Sequence, residues 1–199
     1  MKTLYTIGYG NTPIDIFLPL LQNNNIDFIC DVRSYPYGGY IPDYSRDKLE
    51  KTLNTSGIQY LFLGKELGGR VDDTTCYVDN QIDYELVAKT TLFQEGIKRV
   101  VKGMEKFTIA LLCAEKDPIN CHRSLLITRH IALQHTDIKH IHHDGKLESH
   151  TEFENRLQNA AGIESMPLFD DEANKGETLN AAYKKHSKKV AFTIKDDAK

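Results

Sequence analysis

A short apolar run opens the part of the chain that decides the fold: Phe107-Thr108-Ile109-Ala110-Leu111-Leu112, followed by Cys113-Ala114-Glu115-Lys116-Asp117-Pro118-Ile119-Asn120-Cys121-His122-Arg123. A continuous apolar run of this length is typical of a strand that is covered on both faces of a sheet. The segment after it gathers two thiols, two carboxylates, an imidazole and a guanidinium. Few structural needs call for that mixture, so the sequence predicts a functional site at the carboxyl end of a buried strand.

Strand-like and helix-like segments alternate along most of the chain. Parallel neighbouring strands need a crossover connection, which a helix supplies. The alternation therefore predicts an α/β fold in a single domain, with a mostly parallel central sheet and helices on both faces. Short apolar runs predict strands at residues 4–7, 28–32, 59–63 and 107–112. Periodic apolar patterns predict helices at residues 13–23, 46–56, 83–102 and 122–134.

The last part of the chain has a different pattern of predicted elements. Residues 139–142 and 147–150 flank Asp144-Gly145 as a strand, a turn and a short strand, and Thr151-x-x-Glu154 predicts a capping box that opens a helix ending near Ala161. Residues 162–176 resemble a linker, and the lysine-rich end predicts a docking or fraying helix. The predicted division is an α/β domain over residues 1–161 and a linker with a helical tail over 162–199.

Bulk properties narrow the class of protein. The chain has 199 residues with 25 Lys and Arg against 28 Asp and Glu, so its formal net charge of −3 gives no overall field that attracts nucleic acid or an anionic membrane. Any anion site must be local. Four cysteines, no secretion signal and no membrane-length apolar run predict a cytoplasmic protein with reduced thiols, no membrane contact and an unknown oligomeric state.

Candidate site residues follow several predicted strands. Ligands of open α/β sheets collect outside the carboxyl ends of the strands. We predict catalytic roles for Glu115, Cys121, His122 and Asp31, and ligand-binding roles for Arg33, Gly68, Gly69, Arg70, Cys113 and Arg123.

Asn120 is placed to cap the helix that follows, which puts Cys121, His122 and Arg123 in its first turn. Unpaired amides and the helix dipole there bind anions and lower the pKa of a thiol. Cys121 is then an activated thiol, or the amides with Arg123 hold an anion. The simpler alternative is that Cys121 packs in the core and Arg123 pairs with Glu115 or Asp117.

Spacing weighs against two familiar sites. A phosphatase-type cradle after a strand needs its arginine closer to the cysteine than Arg123 is to Cys113, and the loop carboxylates would repel a phosphate. Structural zinc usually pairs thiolates about two to four residues apart, and His122 directly after Cys121 is an awkward pair of ligands. No metal or other cofactor is therefore predicted, and Glu115 is favoured as an acid or base.

The loop after the second predicted strand is rich in tyrosine. Its rings offer a stacking surface for a base or a lid over the pocket, or they simply cover the core. The tyrosines are Tyr35, Tyr37, Tyr40 and Tyr44.

Five motifs in order resemble one bacterial and archaeal family, catalogued as domain of unknown function 488. The resemblance spans about residues 3–160 and implies an α/β domain, with no activity to carry over. The motifs are Thr6-Ile7-Gly8-Tyr9, Asp31-Val32-Arg33-Ser34-Tyr35-Pro36, the segment 60–70, Cys113-Ala114-Glu115 with Cys121-His122-Arg123-Ser124, and Asp144-Gly145-x-Leu147-Glu148-Ser149-His150.

Together these observations predict an enzyme, or a domain derived from one, that acts as a hydrolase or transferase on an anionic or phosphate-bearing ligand. A nucleotide or nucleic acid is one such ligand. Arg33, Arg70 and Arg123 would hold the anion. Two alternatives stay open: a non-catalytic nucleic-acid-binding module, and a metal or thiol redox site.

Overall fold

A computed structural model describes residues 3–37, 41–134, 136–163 and 172–194. The strands are β1 (Thr3–Gly8), β2 (Phe28–Asp31), β3 (Gln59–Phe62), β4 (Tyr77–Val78), β5 (Gln81–Ile82), β6 (Ile109–Cys113), β7 (Asp137–Ile141) and β8 (Leu147–Ser149). The α-helices are α1 (Ile14–Asn23), α2 (Arg46–Thr55), α3 (Gly64–Leu67), α4 (Tyr84–Lys89), α5 (Thr91–Met104), α6 (Arg129–Ala132), α7 (His150–Ala161) and α8 (Glu172–Val190). A π-helical segment, Arg123–Thr128, leads into α6.

Six strands form the central sheet in the order β3-β2-β6-β1-β7-β8. The first five strands in that order run parallel, and β8 pairs antiparallel with β7. The predicted α/β class with a mostly parallel sheet is confirmed. The predicted strand before the Asp144-Gly145 turn begins two residues earlier than expected, at Asp137.

Helices cover both faces of the sheet, so the strands are buried on both sides. Leu111 and Leu112 are each 0% exposed although successive strand residues point to opposite faces. Leu112 lies in the same core cluster as Phe17 of α1 and Leu53 of α2, whereas Leu111 lies in the core that α5 and the later helices cover. Complete burial of one such side chain contributes roughly 1.5–3 kcal/mol, and this explains the apolar character of β6.

The strand order creates a crevice between β2 and β6. The chain leaves β2 through α2 towards β3, on one side, and leaves β6 through the π-helical segment and α6 towards β7, on the other. Where connections from adjacent strands diverge in this way, the carboxyl ends of the strands form a ligand-binding crevice. The residues after Asp31 and after Cys113 therefore face each other.

Two local predictions needed correction. The single helix expected over 83–102 is two helices, because Thr90 has extended backbone angles and its hydroxyl accepts the amide hydrogen of Phe93 to start a new helix. The capping box of α7 is formed by Ser149 and Glu152, two residues before the expected pair. Both pairs satisfy the same sequence pattern, and the position of β8 selects the earlier one.

The helix α8 packs along α7, where Ala182 and Tyr183 are buried. After it, the backbone of Phe192 accepts a hydrogen bond from the amide of Ile82, and Thr193 forms a bridge with Gln81. Most of the predicted linker, residues 164–171, lies outside the described residues, and the division at residue 161 stays a prediction. No helix in the described part of the chain is long and apolar enough to span a membrane.

Candidate functional site

A pocket of about 300 Å³ lies at the carboxyl ends of β2 and β6. Its walls come from the loops after these strands, from the turn after α3, and from the end of α8 with the residues that follow it. The lining residues are Tyr9, Arg33, Ser34, Tyr35, Gly69, Arg70, Cys113, Ala114, Glu115, Asn120, His122, Val190 and Phe192. A larger groove beside α2, lined by Asp47, Glu50 and Lys51 among others, contains none of the predicted site residues.

Four polar side chains converge at this pocket, and three of them, Cys113, Glu115 and His122, line it. Oε2 of Glu115 accepts hydrogen bonds from the thiols of Cys113, at 2.8 Å, and Cys121, at 3.1 Å. Nδ1 of His122 lies 3.7 Å from Sγ of Cys113 and 3.9 Å from Sγ of Cys121. One ligand atom from each of these four residues lies within 4.8 Å of the others. We call these four residues the thiol cluster.

The imidazole of His122 is fixed from two sides. Its Nε2 lies 3.0 Å from the backbone carbonyl oxygen of Val32, just beyond β2. On the other side, a Cβ atom added to Gly69 would lie 2.8 Å from Nδ1 of His122. Gly69 therefore leaves the space that the ring needs, and Val32 orients it so that Nδ1 faces the sulfur atoms.

Cys121, and not Asn120, begins the helical segment after the loop. Cys121 has extended backbone angles, its carbonyl accepts from the amides of Ser124 and Leu125, and its Sγ lies 3.4 Å from the amide nitrogen of Arg123. The predicted helix start is thus correct to within a residue, but the thiol itself occupies the capping position. This places the sulfur beside a backbone N–H donor.

Arg123 is buried behind the thiol cluster, at 1% exposure. Its guanidinium donates to the carbonyl oxygens of Glu115, at 2.6 Å, and Lys116, at 3.3 Å. The simpler alternative, in which Arg123 pairs with the carboxylate of Glu115 or Asp117, is not observed: within the described residues, Arg123 has no ion pair. Gly8 allows this packing, because a Cβ there would lie 1.8 Å from the Glu115 carbonyl oxygen.

The pKa values of the cluster shift in different directions. Burial, followed by the hydrogen bond with Cys121, raises the pKa of Cys113 well above its usual range. Burial also opposes ionisation of Cys121, but the hydrogen bond from Cys113 and the charges of Arg123 and His122 together lower its pKa well below the usual range. Cys121 is therefore the more acidic thiol of the pair.

The negative charge of Cys121 raises the pKa of both Glu115 and His122. Glu115 is exposed as a residue, but its Oε2 points inward, and desolvation followed by the negative charge of Cys121 raises the pKa of its carboxyl. Burial alone would lower the pKa of His122, yet the charge and hydrogen bond of Cys121, and then Glu115, raise it. The cluster therefore shares protons among four groups.

The other predicted catalytic carboxylate, Asp31, lies outside the thiol cluster. Asp31 is 0% exposed and accepts from the amide and guanidinium of Arg33 and from the hydroxyl of Tyr60. Arg33 also donates to the carbonyl of Tyr44. Arg33 lines the pocket, but most of its donors are already occupied.

Arg70 lines the pocket, whereas Gly68 lies behind its wall. Gly68 packs against Ser34, whose hydroxyl accepts from the amide of Arg70. The guanidinium of Arg70 stacks over the ring of Phe192, 4.3 Å from its centroid, and the residue is exposed. Among the described residues, Arg70 takes part in no ion pair.

The remaining loop carboxylate holds the loop in place. Asp117 accepts two hydrogen bonds from Arg156 of α7, and it also caps the turn at Ile119. Arg156 in turn binds Glu148. Asp117 thus anchors the far side of the loop that carries the thiol cluster.

Sequence reasoning missed three contributors to the pocket. The carbonyl of Val32 carries no sequence signal, because every residue has one. Val190 and Phe192 lie in the lysine-rich tail, and their apolar character there was the only available signal. Of the tyrosine loop, Tyr44 is buried and stacked on Tyr9, Tyr35 and Tyr37 are exposed, and residue 40 lies outside the described residues.

The chain is thus an α/β protein with a mostly parallel sheet. Its cluster of thiol, carboxylate and imidazole groups lies at the crevice between the carboxyl ends of β2 and β6. A family model, the domain of unknown function DUF488, matches residues 13–130 of the chain. The chain belongs to this family, as the motifs over residues 3–160 predicted. No curated protein and no solved structure matches it.

Proposed function

We propose that the chain is an enzyme, a hydrolase or transferase that binds an anionic substrate in the pocket and carries out its reaction at the thiol cluster. The observation behind the proposal is the convergence of four reactive side chains within 4.8 Å of one another, three of which, Cys113, Glu115 and His122, line that pocket. Functional sites place titratable groups together in this way, at a cost in stability. The reduced thiols fit the cytoplasmic setting predicted from the sequence.

Glu115 is the proposed acid or base. Its Oε2 contacts both sulfur atoms, and it is the one member of the thiol cluster that is exposed as a residue. A proton carried by Glu115 can therefore pass between the cluster and a bound substrate. Cys121 and His122 would hold the reacting group of the substrate, and the thiol of Cys113 would donate a hydrogen bond to that group.

Arg70 is the proposed anchor for the substrate anion. Its guanidinium is exposed at the pocket, whereas that of Arg33 is bound to Asp31 and that of Arg123 to backbone carbonyls. In this proposal Asp31 positions Arg33, and Arg33 and Arg123 shape the pocket around the anion. Gly69 keeps the opposite wall close to His122, and Gly68 lets the same turn pack against Ser34.

Substitution of Glu115 by Gln tests the proposal. A panel of phosphate, sulfate, nucleotides and carboxylic acids is first screened for an increase in thermal stability, since a ligand that binds only the folded state stabilises it. Esters and phosphoesters of the binding class are then assayed for turnover. We expect E115Q to abolish turnover while its unfolding temperature stays near that of the wild type.

The matched control is Glu95→Gln, because Glu95 is exposed on α5, away from the pocket. It should leave turnover unchanged. If E115Q unfolds, or if it turns over substrate as fast as E95Q does, the assignment of Glu115 is wrong.

The nucleic-acid alternative is favoured by one feature, the exposed rings of Tyr35 and Tyr37 at 63% and 61% exposure. Exposed aromatic rings can stack on unpaired bases. Binding of a short single-stranded DNA or RNA whose affinity falls steeply with salt concentration would support it. An affinity that is absent, or independent of salt, would remove it.

A further inference from the structure

We infer that the thiol cluster binds a divalent cation of the zinc class, with Sγ of Cys113, Sγ of Cys121, Nδ1 of His122 and the carboxylate of Glu115 as ligands. This inference rests on the proposed function in taking the cluster as the reactive centre of the pocket. It adds to the proposed function a metal ion that would act on the substrate.

The spacing of the donor atoms fits a tetrahedral ion. Zinc–sulfur bonds of ~2.3 Å and zinc–nitrogen or zinc–oxygen bonds of ~2.0–2.2 Å separate neighbouring ligand atoms by roughly 3.3–3.8 Å. Nδ1 of His122 lies 3.7 and 3.9 Å from the two sulfur atoms. Oε2 of Glu115 lies closer to them, at 2.8 and 3.1 Å, as expected when protonated thiols donate to it. Loss of the thiol protons to solvent on metal binding removes those hydrogen bonds.

The adjacent ligands Cys121 and His122 reach one point because their backbones differ. Cys121 is extended, with φ −135° and ψ 136°, whereas His122 is helical, with φ −59° and ψ −27°. The change of direction between them turns both side chains towards Cys113. Neighbouring residues usually cannot both reach one ion, which is the objection that the sequence spacing raised. This bend removes the objection, because it brings both side chains to one point.

The groups around the cluster match the outer shell of a metal site. A histidine that binds a metal through one ring nitrogen commonly donates the other N–H to a carbonyl or carboxylate, and Nε2 of His122 faces the carbonyl of Val32 at 3.0 Å. Sγ of Cys121 lies 3.4 Å from the amide of Arg123, a backbone donor suited to a thiolate. Each of these contacts orients a ligand before any ion binds.

The buried charge of Arg123 fits a cluster that carries negative charge. Two thiolates and one carboxylate around a divalent ion leave one net negative charge. Arg123 is 1% exposed, and within the described ranges it pairs with no carboxylate. A buried cation of this kind is costly unless a negative group lies nearby. The metal-bound cluster supplies that group.

Glu115 is the exchangeable ligand of the site. Cys113, Cys121 and His122 are buried, and Glu115 is exposed. Catalytic zinc sites keep three protein ligands and an open position for water or substrate, and two cysteines with one histidine is a known set. Release of Glu115 would open a position towards the pocket and free its carboxylate to accept a proton.

Cobalt titration of the full-length reduced chain, stripped of metal with a chelator, tests the inference. We expect one Co²⁺ per chain, a near-ultraviolet absorption band from thiolate ligands, and displacement by Zn²⁺. C121S should lose the part of the band that Sγ of Cys121 contributes and at least about tenfold in affinity, whereas Cys76→Ser, at a buried thiol outside the cluster, should keep both. E115Q should keep the thiolate band, because both sulfur ligands remain.

Several results would overturn the inference: no thiolate band in the wild type, more than one weakly bound ion without one, or a band that C121S leaves unchanged. The wild-type spectrum decides the matter even if C121S does not fold. If no metal binds but E115Q still abolishes turnover, the metal assignment falls and the proposed function stands. If one ion binds with thiolate ligands and no panel ligand is turned over, the metal site stands and the enzymatic proposal falls.

Discussion

Nε2 of His122 lies 3.0 Å from the carbonyl oxygen of Val32, a residue 90 positions earlier in the chain. A carbonyl oxygen only accepts hydrogen bonds, so this ring nitrogen carries the hydrogen. The other ring nitrogen, Nδ1, is then directed at the two thiols. One contact between the ends of β2 and β6 thus sets the orientation of the site.

Gly69→Ala should disturb that orientation. The added methyl group would lie 2.8 Å from Nδ1 of His122, and the ring can retreat only by weakening its bond to Val32. We expect a loss of about 1–3 kcal/mol in the free energy of unfolding, as for other overpacked sites. Urea denaturation measures it.

The control for this substitution is Gly176→Ala in α8, where a Cβ meets nothing within 4 Å. Alanine is favoured over glycine inside a helix by up to about 1 kcal/mol, so G176A should be neutral or stabilising. Equal effects of G69A and G176A would show that Gly69 has no special contact with His122.

Arg70→Gln should weaken binding of an anionic ligand without unfolding the protein. The guanidinium is exposed and stacks on Phe192, so its removal leaves no buried group unpaired. A hydrogen bond to a charged group contributes about 1.5–3 kcal/mol, which predicts roughly tenfold or greater loss of affinity. Calorimetric titration with the anion from the screening panel measures this. Lys98→Gln, an exposed cation on α5, should change affinity little.

Stability should fall as pH is lowered from about 6.5 towards 4. His150 is mostly buried, and desolvation lowers its pKa to about 4 in the folded chain. In the unfolded chain its pKa returns to about 6.5, so within this window the unfolded state binds more protons and is favoured. The loss from this one group reaches up to about 3 kcal/mol.

The buried His140 donates to or accepts from His150, and burial lowers its pKa as well. Denaturation curves between pH 4 and 7 should therefore show a steep dependence in the wild type and a shallower one in His150→Gln. Curves of the same slope for both proteins would contradict this origin of the acid sensitivity.

Much of the fold follows from local patterns. The apolar run of β6 and the alternation of strands with helices predicted the class of sheet, since both depend on burial on two faces. The order of the strands was not predictable, because it depends on long-range pairing such as that of Ile29 with Ala110. Cap positions were uncertain by one or two residues, as at Cys121 and Ser149, since neighbouring residues satisfy the same pattern.

The candidate site was predicted only in part. Glu115, Cys121, His122 and Cys113 come from one continuous segment, so their composition alone marked them. Their mutual distances depend on the bend at Cys121, which the sequence pattern does not reveal, and the spacing therefore argued against a metal site. Asp31 had a suitable position at a strand end, but the pairing with Arg33 and Tyr60 takes up its carboxylate.

X-ray absorption spectroscopy at the zinc edge, on full-length protein loaded with Zn²⁺, measures the ligands of the bound ion without any substitution. The geometry of the thiol cluster predicts two sulfur ligands at ~2.3 Å and two nitrogen or oxygen ligands at ~2.0–2.2 Å. A first shell made only of nitrogen and oxygen, or one with four sulfur atoms, would show that Cys113, Glu115, Cys121 and His122 do not act together as one metal site.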